Sequence, residues 1–464
     1  MRKALVIGLF LLGALSVKAW AGASEDRLWQ AVRSHEREAV KALLAQHANP
    51  NLPLPDKSTV LAWAVNHQDG ETVRLLLKAG AKPNVLDIDG ASPFTLACEL
   101  GDPAIVDDLL KAGADAKAIR PDGISALALC SETSTPQVVE HLIALGADVN
   151  GANPDGQTPL MWAAAKGKTD NMAVLIKHGA NVNAVTKKGW TPLFFALQSK
   201  VEAAPSVLAA AGADIHVSLP DGMSVVEAAL TENNEAFVMQ LTSSGAIDVQ
   251  QRDRLGRQLI HLAAQYGDAD LVKLALAKGA DPNVMTDPPP APLPQKEVEP
   301  PPVHVLPGQP LPPKVGIPST LPPPPPMPTP PLLLAAQAGS VATMKALVDA
   351  GAKPDAVAAI GDTLTLAAAA GGNLEALKFA VQLDPNVNAV NRLGRNVFHM
   401  VVANVHGADD DAMLRYLVDK GAKLEVKDYR GITPGLFVNA HGSQAIRLSY
   451  IKVLNEHGMV SAFH

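Results

Sequence analysis

The sequence repeats itself every 33 residues over most of its length. The dipeptide Gly-Ala recurs at that spacing, beginning at Gly80, Gly113, Gly146, Gly179, Gly212 and Gly245. A fixed period over so many units is typical of a solenoid, in which each small unit packs only against its neighbours. The chain of 464 residues is therefore predicted to be an array of repeats rather than about three globular domains.

One repeat is clearest after residue 154. Asp155-Gly156 is typical of a tight turn, because glycine adopts positive φ angles without steric cost. Thr158 and the proline after it favour a helix N-terminus, which predicts a short first helix over 160–166. Apolar residues at helical spacing predict a second helix over 171–178. Each unit is thus predicted to run turn, helix, bend, helix and loop.

Several segments match the motifs of a known family. They are Thr158-Pro159-Leu160, Thr191-Pro192-Leu193, Ile260-His261-Leu262-Ala263-Ala264, Gly146-Ala147-Asp148-Val149-Asn150 and Gly279-Ala280-Asp281-Pro282-Asn283. Through them the chain resembles the ankyrin-repeat family from about residue 24 to its end. The resemblance implies an all-α solenoid of about twelve helix-turn-helix units with short β-turn fingers.

Counted by phase, the predicted units begin near residues 24, 57, 89, 122, 155, 188, 221, 255, 329, 361, 394 and 431. The first unit lacks the turn motif and the last has an irregular second half, as expected of capping units. The segment 406–411 contains about four residues more than the family pattern. It is expected to be a local departure that leaves the fold intact.

The period fails at one place. Gly279 and Gly351 both begin the Gly-Ala motif but lie 72 residues apart, which exceeds one period by 39 residues. The stretch 288–331 holds 21 of the 38 prolines, and proline lacks an amide proton and fixes φ. It is predicted to be a polyproline II or disordered loop whose two ends lie close together. Its expected role is either a tolerated insertion or a docking strip for an aromatic-lined groove or the cell envelope.

The N-terminus has the pattern of a secretory signal peptide. Met1-Arg2-Lys3 is followed by a short apolar run over 4–15 and then by Ala19-Trp20-Ala21, which resembles a cleavage site. An uncleaved anchor is the alternative, and the absence of a following cysteine disfavours a lipid anchor. We expect an exported, bacterial protein without stable membrane insertion, located in the periplasm or, alternatively, outside the cell.

The predicted domain boundaries follow from these features. The signal peptide covers 1–23, and repeats cover 24–286 as an N-terminal cap and about seven units. The Pro-rich insertion covers 287–331. Repeats resume over 332–464 as about four units that end in a C-terminal cap.

Composition and motifs argue against chemistry. A formal net charge of −7 disfavours nucleic acid as the partner, because phosphate binding needs a basic surface. Two cysteines in the chain exclude a disulfide-rich scaffold and a four-cysteine zinc site. The sequence has no Gly-x-Ser-x-Gly, His-Glu-x-x-His or Cys-x-x-Cys motif. We predict a protein without catalytic activity, cofactor or metal.

Both cysteines fall on first helices of adjacent units. Cys98 and Cys130 are predicted to be two buried small side chains. A disulfide bond is the open alternative in an oxidising compartment. It is disfavoured because stacked repeats lie about 10 Å apart, beyond the usual Cα separation limit of about 7 Å.

Two other groups of residues recur at fixed repeat positions. His261 and His399 occupy a position where the family uses histidine to tie neighbouring turns by hydrogen bonds. Trp63, Trp162 and Phe195 share a position on the first helix, and we expect them to lie in the core.

The resemblance also locates a binding surface. Partners of ankyrin repeats usually meet the turn tips and the exposed side of the first helices, which line a concave face. Carried over by phase, the candidate binding residues are Lys187, Lys188, Trp190, Arg254, Leu255, Arg257, Tyr266, Arg392, Arg395, Tyr429 and Arg430. Tryptophan, tyrosine and arginine dominate interface energetics, and Trp190 is predicted to be exposed. Basic tips on an acidic chain favour a partner with an acidic surface.

The predicted function is therefore recognition of another protein by an exported scaffold. Alternatives within that class are an immunity or inhibitor protein for a toxin or enzyme, and an effector directed at a host. Attachment to the envelope through the Pro-rich loop is a structural alternative. A remote alternative is an enzyme with its site in 394–464.

Overall fold

The computed structural model describes residues 25–287, 328–403, 410–441 and 444–456. The predicted signal peptide lies outside these residues, and so does the predicted polyproline or disordered conformation over 288–327. The predicted end of that stretch was wrong, because Pro331 is the first residue of a helix, where proline is well tolerated. In the described part the chain forms helices and turns, with two isolated β-bridges in the fingers. The predicted all-α repeat architecture is confirmed.

The described residues form 24 helices in twelve successive pairs, and the chain divides into an N-terminal unit ending at Ala213 and a C-terminal unit beginning at Asp214. The helices of the N-terminal unit are α1 (Glu25–Arg33), α2 (Arg37–Ala45), α3 (Val60–Asn66), α4 (Gly70–Lys78), α5 (Pro93–Leu100), α6 (Pro103–Lys111), α7 (Ala126–Thr133), α8 (Pro136–Ala144), α9 (Pro159–Ala165), α10 (Thr169–Lys177), α11 (Pro192–Gln198) and α12 (Ala203–Ala210). Those of the C-terminal unit are α13 (Val225–Thr231), α14 (Glu235–Ser244), α15 (Leu259–Gln265), α16 (Ala269–Ala277), α17 (Pro331–Gln337), α18 (Val341–Asp349), α19 (Leu364–Ala370), α20 (Leu374–Leu383), α21 (Val397–Ala403), α22 (Asp410–Asp419), α23 (Pro434–His441) and α24 (Gln444–Glu456).

The repeat read from the sequence folds as expected. Thr158 is the N-cap of α9 and Pro159 its first residue, where the missing amide proton is not needed. Gly167 has a φ of +64° in the bend before α10, and Gly179 has a φ of +85° just after it. The helix ends lie within two residues of the predicted ones.

The threonine side chains contribute less to these helix starts than the pattern indicates. Thr158 and Thr191 occupy N-cap positions, but their hydroxyl groups accept no hydrogen bond from the helix and are buried without a partner among the described residues. Ser92 does cap α5, because its hydroxyl accepts the backbone N–H of Thr95 at 3.1 Å. At Thr158 and Thr191, the proline that follows therefore favours the helix start, since its φ is already helical.

The core of each repeat is built from small and aliphatic side chains on its first helix. In α9, Leu160, Ala163 and Ala164 are fully buried between the first helices α7 and α11. Alanine at these positions lets neighbouring helices approach closely. A chain with 4% aromatic residues can still fill its interior in this way.

Asparagine side chains at the exit of the units bond to the next unit. The Asn150 amide donates to the carbonyl oxygen of Gly179 at 3.0 Å, and its Oδ1 accepts the backbone N–H of Asn181 at 2.8 Å. The same two bonds, which we call the asparagine ladder, are made by Asn51, Asn84, Asn283 and Asn388. At these five places they satisfy backbone groups that follow the C-terminal end of a second helix and fix the distance to the neighbouring repeat.

The ladder continues across the Pro-rich insertion. Asn283 donates to Gly351, 68 residues away, whereas the separation is 29 residues at Asn150, a difference of 39. The backbone N–H of Thr286 donates to the carbonyl of Thr329 at 3.2 Å, and the N–H of Thr329 donates to the Thr286 hydroxyl at 3.0 Å. The prediction that the ends of the insertion meet is confirmed, and the described fold resumes at residue 328.

The shorter insertion leaves the stack intact in the same way. Asn388 donates to Gly421, 33 residues away, so this unit is four residues longer than the units whose ladder bonds span 29. This agrees with the expectation of about four extra residues in 406–411. Residues 404–409 of that loop lie outside the described part of the chain.

Replacing Asn150 by alanine removes both ladder bonds between two repeats. We expect Asn150→Ala to lower the free energy of unfolding by about 1–2 kcal/mol, because each bond contributes roughly 0.5–1.5 kcal/mol. Urea unfolding followed by circular dichroism measures the change. Asn66→Ala, at the exposed end of α3, is the matched control and should change stability by less than about 0.5 kcal/mol. Equal losses in the two variants would contradict the role given to the ladder.

Candidate functional site

The N-terminal unit has an open depression beside the turn that precedes α11. Its volume is about 620 Å³, and it is lined by Asp155, Gln157, Thr186, Lys187, Lys188, Trp190, Phe195 and Gln198. The turn itself is closed by two hydrogen bonds between Thr186 and Trp190: the Thr186 N–H donates to the Trp190 carbonyl at 2.9 Å, and the Trp190 N–H donates to the Thr186 hydroxyl at 3.0 Å. The depression therefore has a fixed wall that carries three of the predicted binding residues.

Trp190 is half-buried rather than fully exposed, which corrects the expectation from the sequence. Its ring lies 5.5 Å from the ring of Phe195 and 6.0 Å from that of Phe194, measured between centroids. Because α11 presents two phenylalanines next to the turn, the indole packs on the start of that helix. Its remaining surface faces the depression together with Phe195.

Lys187 and Lys188 are exposed at the tip of the same turn. No ion pair involves either ammonium group among the described residues. Another tip of the N-terminal unit, two repeats earlier, differs, because Arg120 lies 3.0 Å from Glu99 and 3.4 Å from Asp122. The positive charge beside Trp190 is therefore available to a ligand, whereas that of Arg120 is already neutralised.

The predicted tip residues of the C-terminal unit fall into different environments. Arg254 is exposed. Leu255 is half-buried, and its Cδ2 atom lies 3.9 Å from the point where a Cβ atom on Gly222, in the preceding tip, would stand. The Arg257 side chain is only 11% exposed and is held by Glu227 and by Asp253, whose carboxylate lies 2.8 Å from Nε. Its guanidinium therefore stabilises the turn and is not offered to solvent.

Tyr266 does not share a surface with these tips. It is the C-cap of α15, at the bend end of the helix, whereas residues 254–257 precede its other end. The ring is 39% exposed, and the hydroxyl is 2.7 Å from the Thr231 hydroxyl. The structure thus separates Tyr266 from the residues that repeat phase grouped with it.

Two later tips of the C-terminal unit are brought together. The backbone N–H of Tyr429 donates to the carbonyl of Leu393 at 2.9 Å, which joins the turn of Arg392 to the turn of Tyr429. Tyr429 is 60% exposed, and Arg430 covers it with its guanidinium carbon 5.2 Å from the ring centroid.

Arg395 differs from the other predicted tip residues. It is half-buried over the ring of Phe437, with its guanidinium carbon 5.4 Å from the ring centroid. It packs on a neighbouring helix and offers little surface to a partner.

Sequence reasoning missed a row of exposed apolar side chains in the fingers of the N-terminal unit. Leu86, Ile119 and Val185 are exposed by 58%, 68% and 60%. They occupy the same phase of the repeat, two positions after the place that the ladder asparagine takes in other repeats. These positions were predicted to be loop, so they were not singled out from the sequence. Their separation by multiples of 33 residues is the signal in the sequence that could have found them.

The aromatic residues expected in the core are only partly there. Trp63, Trp162 and Phe195 are each half-buried, and Trp63 makes an edge contact with Trp29 at 5.8 Å between centroids. They therefore form part of the packed interior and part of the surface of the first helices. The prediction that these three side chains lie in the core is therefore only partly right, because each keeps some exposed surface.

Cys98 and Cys130 form a disulfide bond between α5 and α7, which corrects the expectation of two separate thiols. Both side chains are fully buried, and their Cα atoms are 4.6 Å apart. The expected spacing of about 10 Å applies to helix axes. Cα atoms that face each other across the contact are closer by about 2.3 Å on each side, which brings them within reach of a disulfide.

The two histidines tie neighbouring turns, as the resemblance implies. The Nδ1 atom of His261 accepts the backbone N–H of Gln258 at 3.0 Å, so its Nε2 carries the proton and donates to the carbonyl of Val284 at 3.0 Å. Burial lowers the pKa of His261 to about 4, because the charged ring is desolvated. His399 is buried in the same way, and its Nε2 lies 3.0 Å from the carbonyl oxygen of Ile432.

No group of three or more histidine, cysteine, aspartate or glutamate side chains arranged to hold a metal ion occurs in the described residues. None of the helices described is long and apolar enough to cross a membrane. The features that stand out chemically are the surfaces at the turn tips.

Paired helices, repeated tip turns and a ladder between units define a solenoid that presents a row of variable tips. This is the class of repeat proteins that act as binding scaffolds. A family model described as Ankyrin repeats (3 copies) matches residues 28–120, 127–219 and 332–428, and a model described as Ankyrin repeat matches 255–287. The chain belongs to the ankyrin-repeat family, whose repeats mediate protein–protein interactions. No curated protein matches the chain significantly.

The buried His261 predicts a loss of stability in acid. The folded pKa of about 4 lies below the ordinary value of 6.5, so the unfolded chain binds the proton first as the pH falls. The stability contributed by the neutral ring is complete above pH 6.5 and is lost as the pH falls to about 4. Urea unfolding at pH 7.5 and pH 4.5 should show a difference between the protein and His261→Gln that shrinks by about 2 kcal/mol or more at the lower pH. A difference that does not change with pH would contradict this assignment.

The disulfide predicts that the unfolded but unreduced protein has no reactive thiol. Alkylation with iodoacetamide in denaturant should add no mass before reduction and two adducts after it. The variant Cys98→Ala, Cys130→Ala should lose about 2–4 kcal/mol of unfolding free energy, because the unfolded chain is no longer constrained. Two adducts before reduction would show that the thiols are free.

Proposed function

We propose that this protein is an exported, non-enzymatic scaffold that binds another protein through the turn tips and first helices of its ankyrin repeats. The site that supports this best is the turn of Lys187, Lys188 and Trp190 in the N-terminal unit. Family membership supplies the general role of protein binding. The choice of this surface rests on the residues themselves.

One observation carries the choice of surface: a half-buried tryptophan and two unpaired lysines border an open depression. Tryptophan is enriched among the residues that dominate binding energy at interfaces, above all when it lines a pocket. Arg257 and Arg395 occupy comparable tips but are committed to contacts within the chain. The surface at Trp190 is therefore the best supported of the predicted sites.

Two features support export to an oxidising compartment, which we propose is a bacterial periplasm. The first is the signal-like sequence over 1–23. The second is the disulfide between Cys98 and Cys130, since such bonds persist in exported proteins and are rare in the cytosol. Cell fractionation that found the chain in the cytoplasm with residues 1–23 attached would contradict export.

Partner capture tests the proposed surface. The full chain and the variant Lys187→Ala, Lys188→Ala, Trp190→Ala are used as baits in an envelope extract. We expect the protein to retain a stoichiometric partner that the variant loses by about tenfold or more, as expected when a central hot spot is removed. The variant Lys78→Ala, Lys111→Ala, with two exposed lysines on second helices, is the matched control and should retain the partner.

Thermal unfolding of each bait checks that the substitutions leave the fold intact. A partner held equally by all three baits would place the binding surface elsewhere and contradict the proposal.

A further inference from the structure

The chemistry of the depression at Trp190 allows its ligand to be described more closely. Resting on the proposed function, we infer that this depression binds an acidic segment of the partner protein that carries a large apolar side chain. The apolar side chain lies against Trp190 and Phe195, and the carboxylates lie beside Lys187 and Lys188. Four observations on the lining residues carry the inference.

The first observation is the aromatic wall. Trp190 and Phe195 are both half-buried, their ring centroids are 5.5 Å apart, and their planes are inclined by 51°. The two rings are held by the turn and by α11, so they form a fixed apolar surface rather than two mobile side chains. A leucine or phenylalanine side chain that packs on this surface loses contact with water, which favours binding.

The second observation is the uncompensated charge. Of the charged side chains that line the depression, two are lysines and one is Asp155. None of these three forms an ion pair among the described residues. The depression therefore has excess positive charge, although the whole chain has a formal charge of −7. Complementary charge on a partner steers association and disfavours basic competitors.

The third observation is a pair of hydrogen-bonding groups without partners in the described structure. The indole N–H of Trp190 makes no hydrogen bond there, and neither does the exposed side-chain amide of Gln198. Both belong to the lining of the depression. An N–H donor beside an apolar wall can bond to a backbone carbonyl or a carboxylate oxygen of a bound peptide segment.

The fourth observation is the contrast with Arg120, a cation at another tip of the N-terminal unit. Arg120 is paired with Glu99 and Asp122, and no aromatic ring contacts it among the described residues. The combination of free charge and aromatic surface is thus particular to the turn at Trp190. A partner selected by charge alone would not distinguish it from an ordinary lysine-bearing loop.

The test uses the protein labelled with 5-fluorotryptophan, which has four tryptophans outside the predicted signal peptide. The resonance of Trp190 is assigned by its loss in Trp190→Phe. Three capped peptides are titrated to about 5 mM, a range that detects weak binding. The acidic probe is Glu-Asp-Ser-Leu-Phe-Ser-Glu-Asp. One control replaces its four acids by lysine, and the other replaces its leucine and phenylalanine by serine.

We expect the acidic probe to shift the resonance of Trp190 saturably, and the two control peptides to bind at least about tenfold more weakly. Affinity for the acidic probe should fall as NaCl is raised, since the charges are exposed. In Lys187→Glu, Lys188→Glu the preference should reverse toward the lysine peptide. Lys78→Glu, Lys111→Glu makes the same change of charge on second helices and should behave as the unsubstituted protein.

Equal shifts with the acidic and basic peptides, or no shift with any peptide, would overturn the inference. Light scattering that showed a dimer dependent on Trp190 would overturn it in favour of a second copy as the occupant. The peptide titrations and the partner capture can fail independently, so the two proposals are tested separately. A partner lost from the Trp190 bait while no peptide shifts the resonance leaves the function standing and removes only the acidic apolar ligand.

Discussion

The two hydrogen bonds of each ladder asparagine join one repeat to the next within each unit of the chain. A pair of helices of 7–13 residues cannot bury its apolar face alone, so each repeat depends on contact with the next. Asn150 and its counterparts fix that contact at the point where each second helix ends, by satisfying a carbonyl group that the helix leaves open. Where a repeat has this asparagine, the same pair of bonds recurs, so the spacing of those neighbouring tips is set by an interaction that also stabilises the fold.

This arrangement explains why insertions do not disturb the repeats. The ladder bond from Asn283 spans 68 residues and that from Asn388 spans 33, yet both end on the glycine that follows a second helix. The described residues on either side of both insertions keep the same ladder bonds as the uninterrupted repeats. Thr286 and Thr329 close the larger insertion by two hydrogen bonds, so the next unit packs as if the chain were continuous. Function can therefore vary at the tips without a cost to the core.

Repeat phase predicted which residues lie at tips, but it did not predict how each one is used. Trp190 and Arg257 were grouped together because both follow a tip glycine by one residue. In the structure, Trp190 lies against the phenylalanines of its own first helix and keeps an open side. Arg257 instead meets Glu227 of the preceding unit and is nearly enclosed. The difference arises from one residue on a neighbouring helix, which lies 30 positions away in the sequence.

The sequence by itself determined the repeat, the class of fold and the ends of helices such as α9 and α10. These features depend on short-range chemistry, namely glycine at positive φ, proline at a helix start and apolar residues at helical spacing. Only the tertiary structure decided that Cys98 and Cys130 are joined, that Tyr266 lies away from the tips and that Leu86, Ile119 and Val185 are exposed. Those outcomes depend on distances between side chains of adjacent units, because a period gives the order of the units and not how closely two facing residues approach.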